Sequence, residues 1–323
     1  MCGDSVPAEG ASACLPDALC ATLGTPNGRT SGGIVSGAGE LGGKRFSAEP
    51  LGVDWIHGSP SAKHNTDPDL QVHWYDEHTV LLRQNKAINY EAPFLYLLFG
   101  NRQAVQIDTG ATASPEYFPV RRTVDGLVET WLARNPRDSY GLLVLHTHSH
   151  SDHVAGDGQF LDRPDTIVVG GDRDAAWTYF GFADDPEAVR PLNLGGRVLE
   201  ALATPGHDAA AVTFYDPWTG FLLTGDTVYR GRLYIEDWPA FSRTIDRLIA
   251  FADRRPVTHV LGCHIEMTRE LGVDYPIRTT YQPDEPPLEM TPAHLHAVRA
   301  ALDEVGPQPA RRAFADFILW PKD

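Results

Sequence analysis

Cysteine is scarce in this chain and badly placed for a disulfide framework. Of four, Cys2, Cys14 and Cys20 lie in the first twenty residues and Cys263 stands alone towards the other end. A small stapled fold is therefore excluded, and the amino-terminal three either close one disulfide with a thiol left over or stay reduced. Long apolar runs are also missing. The longest, Phe94-Leu95-Tyr96-Leu97-Leu98-Phe99, has the length of a strand, far short of the roughly twenty residues that span a bilayer. No positively charged start leads into an apolar segment, so the expectation is a cytoplasmic protein, with an exported form that has lost its leader as the alternative. Positive charge is in deficit: 27 Lys and Arg face 43 Asp and Glu, a net charge of −16. Such a surface repels a phosphate backbone, which argues against a nucleic-acid partner, and it serves solubility.

What is present is ordinary for a soluble globular chain, 42% hydrophobic and 22% charged over 323 residues, enough for one large or two small domains. Residues 1–65 are rich in Gly, Ser, Ala and Pro, with turn-forming pieces such as Gly24-Thr25-Pro26-Asn27-Gly28, and read as an irregular arm. Residues 66–323 carry the periodic patterns of a folded domain. Gln71–Tyr75 and Thr79–Arg83 form one hairpin signal, and Phe94–Phe99 with Ala104–Ile107 a second. Amphipathic spacing predicts helices over Val120–Asn135, Arg173–Phe180, Pro239–Ala252 and Pro292–Val305. Strands, a helix, strands again and closing helices fit two sheets packed face to face with helices outside. Nothing in the sequence fixes the oligomeric state, and a homo-oligomer stays open.

The richest stretch is Leu145-His146-Thr147-His148-Ser149-His150-Ser151-Asp152-His153. It follows the apolar, strand-like Gly141–Leu145, so four imidazoles and a carboxylate sit at the carboxyl end of a strand, where open α/β sheets place ligands. Two frames are available, His146/His148/His150 or His148-x-His150-x-Asp152-His153. The second offers neutral nitrogens together with a hard oxygen to two neighbouring ions. The same design, strand, tight turn, then one ligand residue, recurs at Thr204-Pro205-Gly206-His207, Thr224-Gly225-Asp226 and Gly262-Cys263-His264. Five His and two Asp brought together suit a dinuclear site: three nitrogens for one metal, two nitrogens and a carboxylate for the other, one carboxylate bridging. Cys263 alternates away from His264 and reads as a small core residue.

This ordered set, His148-Ser149-His150-Ser151-Asp152-His153, then His207, Asp226 and His264, resembles the signature of the metallo-β-lactamase-fold hydrolases. Asp108, in Ile107-Asp108-Thr109-Gly110, resembles the structural Asp that ends an early strand in that superfamily. The resemblance covers roughly residues 70–280. It implies a mixed α/β fold, a four-layer αββα sandwich with metals at one edge. It also implies two Zn²⁺ per chain, with iron or manganese as substitutes. On this pattern His148, His150 and His207 hold one metal, Asp152, His153 and His264 the second, and Asp226 bridges. A metal-bridging hydroxide then cleaves a small ester, thioester, lactone or amide, and Asp152 carries the proton. Tyr229, three positions after Asp226, has the spacing of a Tyr that contacts substrate in the superfamily's lactonases, with Tyr234 a weaker candidate.

Glu266 and Arg269 are either substrate contacts or surface residues, and His146 is expected just behind the metal ligands. The aromatic run Ala175–Phe182 is either a pocket wall or, preferably, core packing. The fold hosts many chemistries, so rival readings stand beside the hydrolase. One is a mononuclear iron enzyme like the persulfide dioxygenases; another is a non-catalytic, metal-stabilised binding protein. No Lys or Ser suited to a lactam carboxylate is evident around His264. No glutathione-binding motif is evident in the acidic, proline-rich Pro283–Glu289.

Overall fold

The first strands alternate strictly, and that alternation decides which layer each side chain enters. In the computed structural model, which describes residue 41 and residues 46–322, β1 (Leu70–Asp76), β2 (Thr79–Gln84), β3 (Phe94–Phe99) and β4 (Gln103–Ile107) form an antiparallel meander. It is extended in parallel by β5 (Gly141–Leu145) and β6 (Thr166–Val168). On β3, Phe94, Tyr96 and Leu98 point inward to the layer between the sheets, while Leu95, Leu97 and Phe99 point outward. The outer face is covered by α1 (Val120–Arg134), which lies in sequence between β4 and β5 and lays Val124, Leu127, Val128 and Trp131 on it.

The second half repeats the logic. The single turn α2 (Ser151–Val154) follows β5, and α3 (Arg173–Phe180) follows β6. Then β7 (Arg190–Asn193), β8 (Val198–Ala203), β9 (Val212–Asp216), β10 (Phe221–Gly225) and, after β11 (Arg232–Ile235) and α4 (Trp238–Ala252), β12 (His259–Gly262) build a second sheet in the order β12-β10-β9-β8-β7. Phe221 and Leu223 face the first sheet, whereas Leu222 joins Leu202, Tyr215 and Val260 under α4 and α5 (Pro292–Val305). Phe241, Ile245 and Leu248 of α4 and Leu295, Val298 and Leu302 of α5 complete that layer. Each such buried side chain contributes about 1.5–3 kcal/mol. The result is the expected αββα sandwich.

Not every element was expected. A third sheet pairs β11 with β14 (Ile318–Pro321) and β14 with β13 (Arg312–Ala313). β13 has two exposed residues and β14 ends in proline, so neither shows a usable period. β7 is an edge strand with one buried residue, Leu192, and contains the proline that edges tolerate. The aromatic run packs as core: Phe182 is fully buried, Phe180 tilts against Phe214 at 5.9 Å, and Tyr179 alone of its rings is well exposed. Trp55 also enters the layer between the sheets, with Leu51 and Val53 packed against it. Cys2, Cys14 and Cys20 lie outside the described residues. Among the described residues no helix is long and apolar enough to cross a membrane.

One charged residue joins the two sheets. Arg197, at the start of β8 and 1% exposed, donates Nε and Nη2 to Asp216 at 3.1 and 2.6 Å, Nη1 to the His78 carbonyl at 2.6 Å, and Nη2 to Thr79 Oγ1 at 3.0 Å. Removing one partner of a buried pair strands the other charge. Arg197→Met is expected to lower the unfolding free energy by about 3–5 kcal/mol in urea titrations. A change within about 0.5 kcal/mol would show that the clamp contributes nothing.

Candidate metal centre

Topology alone brings the strand ends together. β4 and β5 run parallel, as do β10 and β12, and β8 runs antiparallel to β9 and so in the same direction as β10. Their carboxyl ends, carrying Asp108, the His-rich loop, His207, Asp226 and His264, therefore share one edge. Val212 N donates to the Thr147 carbonyl at 2.8 Å and joins the two sheets there.

Two groups of side chains converge at that edge. In the first, His148 Nε2, His150 Nδ1 and His207 Nε2 stand 3.1–3.3 Å apart. In the second, His264 Nε2 lies 3.3 Å from His153 Nε2 and 3.2 Å from Asp152 Oδ2, which is 3.3 Å from His153 Nε2. Asp226 stands between them. Its Oδ1 is 3.4 Å from His264 Nε2 and 3.7 Å from His153 Nε2, while its Oδ2 is 3.8 Å from His207 and 3.9 Å from His148. Oδ1 is buried with no hydrogen-bond partner. Three ring nitrogens gathered within 3.3 Å of one another in the first group, and an orphaned carboxylate oxygen turned to the second, are what divalent cations satisfy. Each group can hold a metal, and imidazole with carboxylate suits zinc, iron or manganese. Of the two frames open in the sequence, this is the second; His146 stays outside, its Nε2 3.1 Å from Asp157 Oδ2.

The far nitrogen of four of the five rings is held by the protein. His207 Nδ1 donates to the Tyr234 carbonyl at 2.7 Å and His264 Nδ1 to the Glu91 carbonyl at 3.0 Å; His148 Nδ1 meets Thr147 Oγ1 at 3.1 Å. His153 Nδ1 lies 2.9 Å from Asp108 Oδ2. Asp108, whose φ of 62° lies in the left-handed region that Asp tolerates better than most residues, also accepts from Thr147 N at 2.7 Å and Thr147 Oγ1 at 2.8 Å. It orients the cluster from behind. Cys263 Sγ faces the same carboxylate at 3.4 Å; burial first, and Asp108 next, push its thiol up, so it stays neutral.

Burial depresses His148 well below, and His207 below, the usual imidazole range, which leaves both neutral and able to donate a lone pair. Burial acts the same way on His153 and His264, but the carboxylates outweigh it. Asp152, Asp108 and Asp226 hold His153 well above the usual range, and Asp226 with Asp152 pushes His264 up to about 9. Burial opposes ionisation of Asp152 and Asp226, yet these same imidazoles hold both far below the carboxylate range. A cation bound at these groups would displace those protons.

Two glycines set the ligand turns. Gly206, at φ 141°, would place a Cβ 2.4 Å from Phe241 Cα on α4, and Gly225, at φ 54°, one 2.6 Å from Thr147 Cβ. The 204–207 turn is fastened further by Thr244 Oγ1 donating to the Pro205 carbonyl at 2.7 Å and by Glu236 N and Asp237 N donating to the Gly206 carbonyl.

Tyr229 lies edge-on to the His264 ring at 5.7 Å, but its hydroxyl donates to the Arg232 carbonyl and lies 3.0 Å from Glu266 Oε2. It is 2% exposed, and burial, then Glu266, raises its pKa well above the usual phenol value. Tyr234 is half-buried and pushed up to about 12 by burial and then Glu266. Glu266 binds Arg232 at 2.5 Å, and Arg269 is exposed beside Asp284. Three contributors gave no sequence signal of their own. The Glu91 carbonyl acts through the backbone; Asp208 accepts from Ser149 Oγ; and Asp157 accepts from Thr109 Oγ1 at 2.7 Å.

A family model, the Metallo-beta-lactamase superfamily, matches residues 94–264, a segment holding every residue of the two clusters. The chain belongs to this superfamily, whose members bind metal ions. It is 31% identical over 207 residues, 53% of this chain and 72% of the relative, to a Bos taurus acyl-coenzyme A thioesterase, MBLAC2. It is 32% identical over 104 residues, 32% of this chain and 38% of the relative, to a hydroxyacylglutathione hydrolase of Idiomarina loihiensis. The metallo-beta-lactamase DIM-1, in a crystal exposed to ceftazidime, superposes with TM-score 0.50 at 14% identity, over 75% of this chain and all of that one; this likeness speaks to the fold.

Outer hydrogen bonds to metal-binding imidazoles are typically worth ten- to a hundredfold in metal affinity. Asp108→Asn keeps a residue that tolerates positive φ but withdraws the charge. It is expected to weaken zinc binding by about 10–100-fold in chelator competition, with the circular dichroism spectrum unchanged. Unaltered affinity would make Asp108 a purely architectural residue.

Proposed function

We propose that the protein is a dinuclear zinc hydrolase of a small acyl substrate, a thioester first, with ester, lactone or amide as the wider class. The observation that carries this reading is Asp226, which turns one oxygen to each of two groups of three donors. His148, His150 and His207 would hold one ion and Asp152, His153 and His264 the other. Two divalent cations so held would bring the pKa of water towards neutrality and offset negative charge on the scissile group. The thioesterase and acylglutathione hydrolase names of the relatives support the choice of substrate.

The chain's own part is to orient and to move a proton. Asp152, in the first turn of α2, is the most open member of the second group, its side chain 18% exposed. It takes the proton from the attacking water and returns it to the leaving sulfur, so that thioester plus water gives acid plus thiol. The carboxylates of Asp208 and Glu236 stand 3.7 and 3.8 Å from His150 Nε2, and Nδ1 is the nitrogen that lies against His148 and His207.

Elemental analysis of protein purified without added metal is expected to give about two zinc ions per chain, and chelation should abolish thioester hydrolysis. A single iron, with oxygen uptake on a persulfide, would overturn the reading in favour of a dioxygenase. Full metal content with no turnover on thioesters, esters, lactones or amides would favour a binding protein. Asp152→Asn is expected to lower kcat by about 10²–10⁴; near-normal turnover with metal content unchanged would remove its proton-carrying role.

A further inference from the structure

β2 runs parallel in direction to β4, because each is antiparallel to β3, so its carboxyl end reaches the same edge as the metal groups. The residues that follow it form one wall of a small cavity of about 50 Å³. Lys86, Tyr90, Glu91, Arg232, Tyr234 and Gln282 are among its lining. The cavity adjoins both groups, since the Glu91 carbonyl holds His264 and the Tyr234 carbonyl holds His207.

Most of the polar groups in this lining are already engaged. Arg232 binds Glu266 at 2.5 Å, Asp274 at 2.8 Å and the Tyr275 carbonyl, and the second oxygen of Glu266 accepts from Arg232 N at 2.7 Å and lies 3.0 Å from the Tyr229 hydroxyl. Two of the buried groups are not so engaged. Lys86, 3% exposed, makes one hydrogen bond, to the Tyr90 carbonyl at 3.2 Å, although an ammonium has three donors. It stands 4.0 Å from Glu285, which already receives both Arg83 nitrogens at 2.6 and 2.7 Å. Burial, with Arg83 next, brings its pKa down to about 8, in keeping with an ammonium poorly satisfied from within. Gln282, 4% exposed, buries Oε1 with no partner at all.

A buried donor and a buried acceptor, both short of partners, discriminate between occupants. An apolar group would leave both unmet, at about 1–3 kcal/mol each. An anion would suit Lys86 and the exposed Arg278 at the rim, but inside it would face Gln282 Oε1 and the nearby carboxylates of Glu91 and Glu266. A secondary amide meets both, its carbonyl accepting from the ammonium and its N–H donating to Gln282. We propose that Lys86 and Gln282 form a subsite for a secondary amide of the substrate, making them specificity-determining residues beside the metal edge. The proposal rests on the hydrolase reading for its role in catalysis, but the recognition itself is a binding property.

Binding therefore provides the test. Zinc-loaded protein would be titrated calorimetrically with the S-butyl thioether of N-acetylcysteamine and with the analogue whose amide is replaced by two methylenes. The wild type is expected to bind the amide at least about tenfold more tightly, the value of one satisfied pair of hydrogen bonds. In Lys86→Met and in Gln282→Met that ratio should fall towards one while affinity for the methylene analogue holds. Equal binding of the two ligands by the wild type, or variants that weaken both equally, overturns the subsite. Hydrolysis of the matching S-butanoyl thioester separates the two ideas. A binding preference without turnover of this thioester, or of the ester, lactone and amide panel, sinks the hydrolase and leaves the subsite standing, and turnover without preference does the reverse.

Discussion

An imidazole has two nitrogens, and a cluster of five can turn one of each inward only if something else holds the other. That constraint governs the metal edge. Left to themselves, lone pairs 3.1–3.3 Å apart repel, and the rings would rotate to donate to whatever lay near. Here four of the five outward nitrogens meet the Tyr234 carbonyl, the Glu91 carbonyl, Thr147 Oγ1 and Asp108 Oδ2, and only His150, at the open side, has carboxylates no nearer than 3.7 Å. The partners come from a strand, a loop and two strand ends, so the ring orientations are a property of the whole sandwich. Second-layer hydrogen bonds of this kind fix tautomer and direction together.

The backbone supplies the rest of the precision. A ligand placed directly after a strand inherits the rigidity of the sheet, but the chain must then turn within one or two residues. Gly206 and Gly225 make those turns where a side chain would strike Phe241 and Thr147. Thr147 is thereby drawn into three duties. It abuts Gly225, bonds Asp108 twice and meets the His148 ring. The close approach that excludes a Cβ at Gly225 is the same approach that seats Asp226 between the two groups.

Much of this was legible in the sequence because strand periodicity and ligand spacing are local signals. Gly141–Leu145 and Phe221–Gly225 are strands, the four helices stand where amphipathic spacing put them, and the spaced His and Asp residues meet at one edge. What was not legible depends on contacts that leave no pattern. Glu91 acts through its carbonyl, which any residue would offer, and β13 and β14 exist because each pairs with a distant segment. The hydroxyl of Tyr229 illustrates the limit from the other side. Its spacing from Asp226 suggested reach towards the metals, whereas the fold engages it with Arg232 and Glu266.

The same contrast explains why chemistry was easier to read than substrate. Metal ligands must be particular residue types at particular strand ends, so they mark the sequence strongly. A substrate pocket needs only that some buried groups be left short of partners, and shortage is a property of the folded whole. Lys86 is an ordinary Lys in an ordinary loop until Glu285 is seen to be taken by Arg83. Gln282 gives no signal until its oxygen proves to face nothing. Specificity is then set by what the scaffold has declined to satisfy, and a chain can change its substrate at such positions while every residue of its metal signature stays in place.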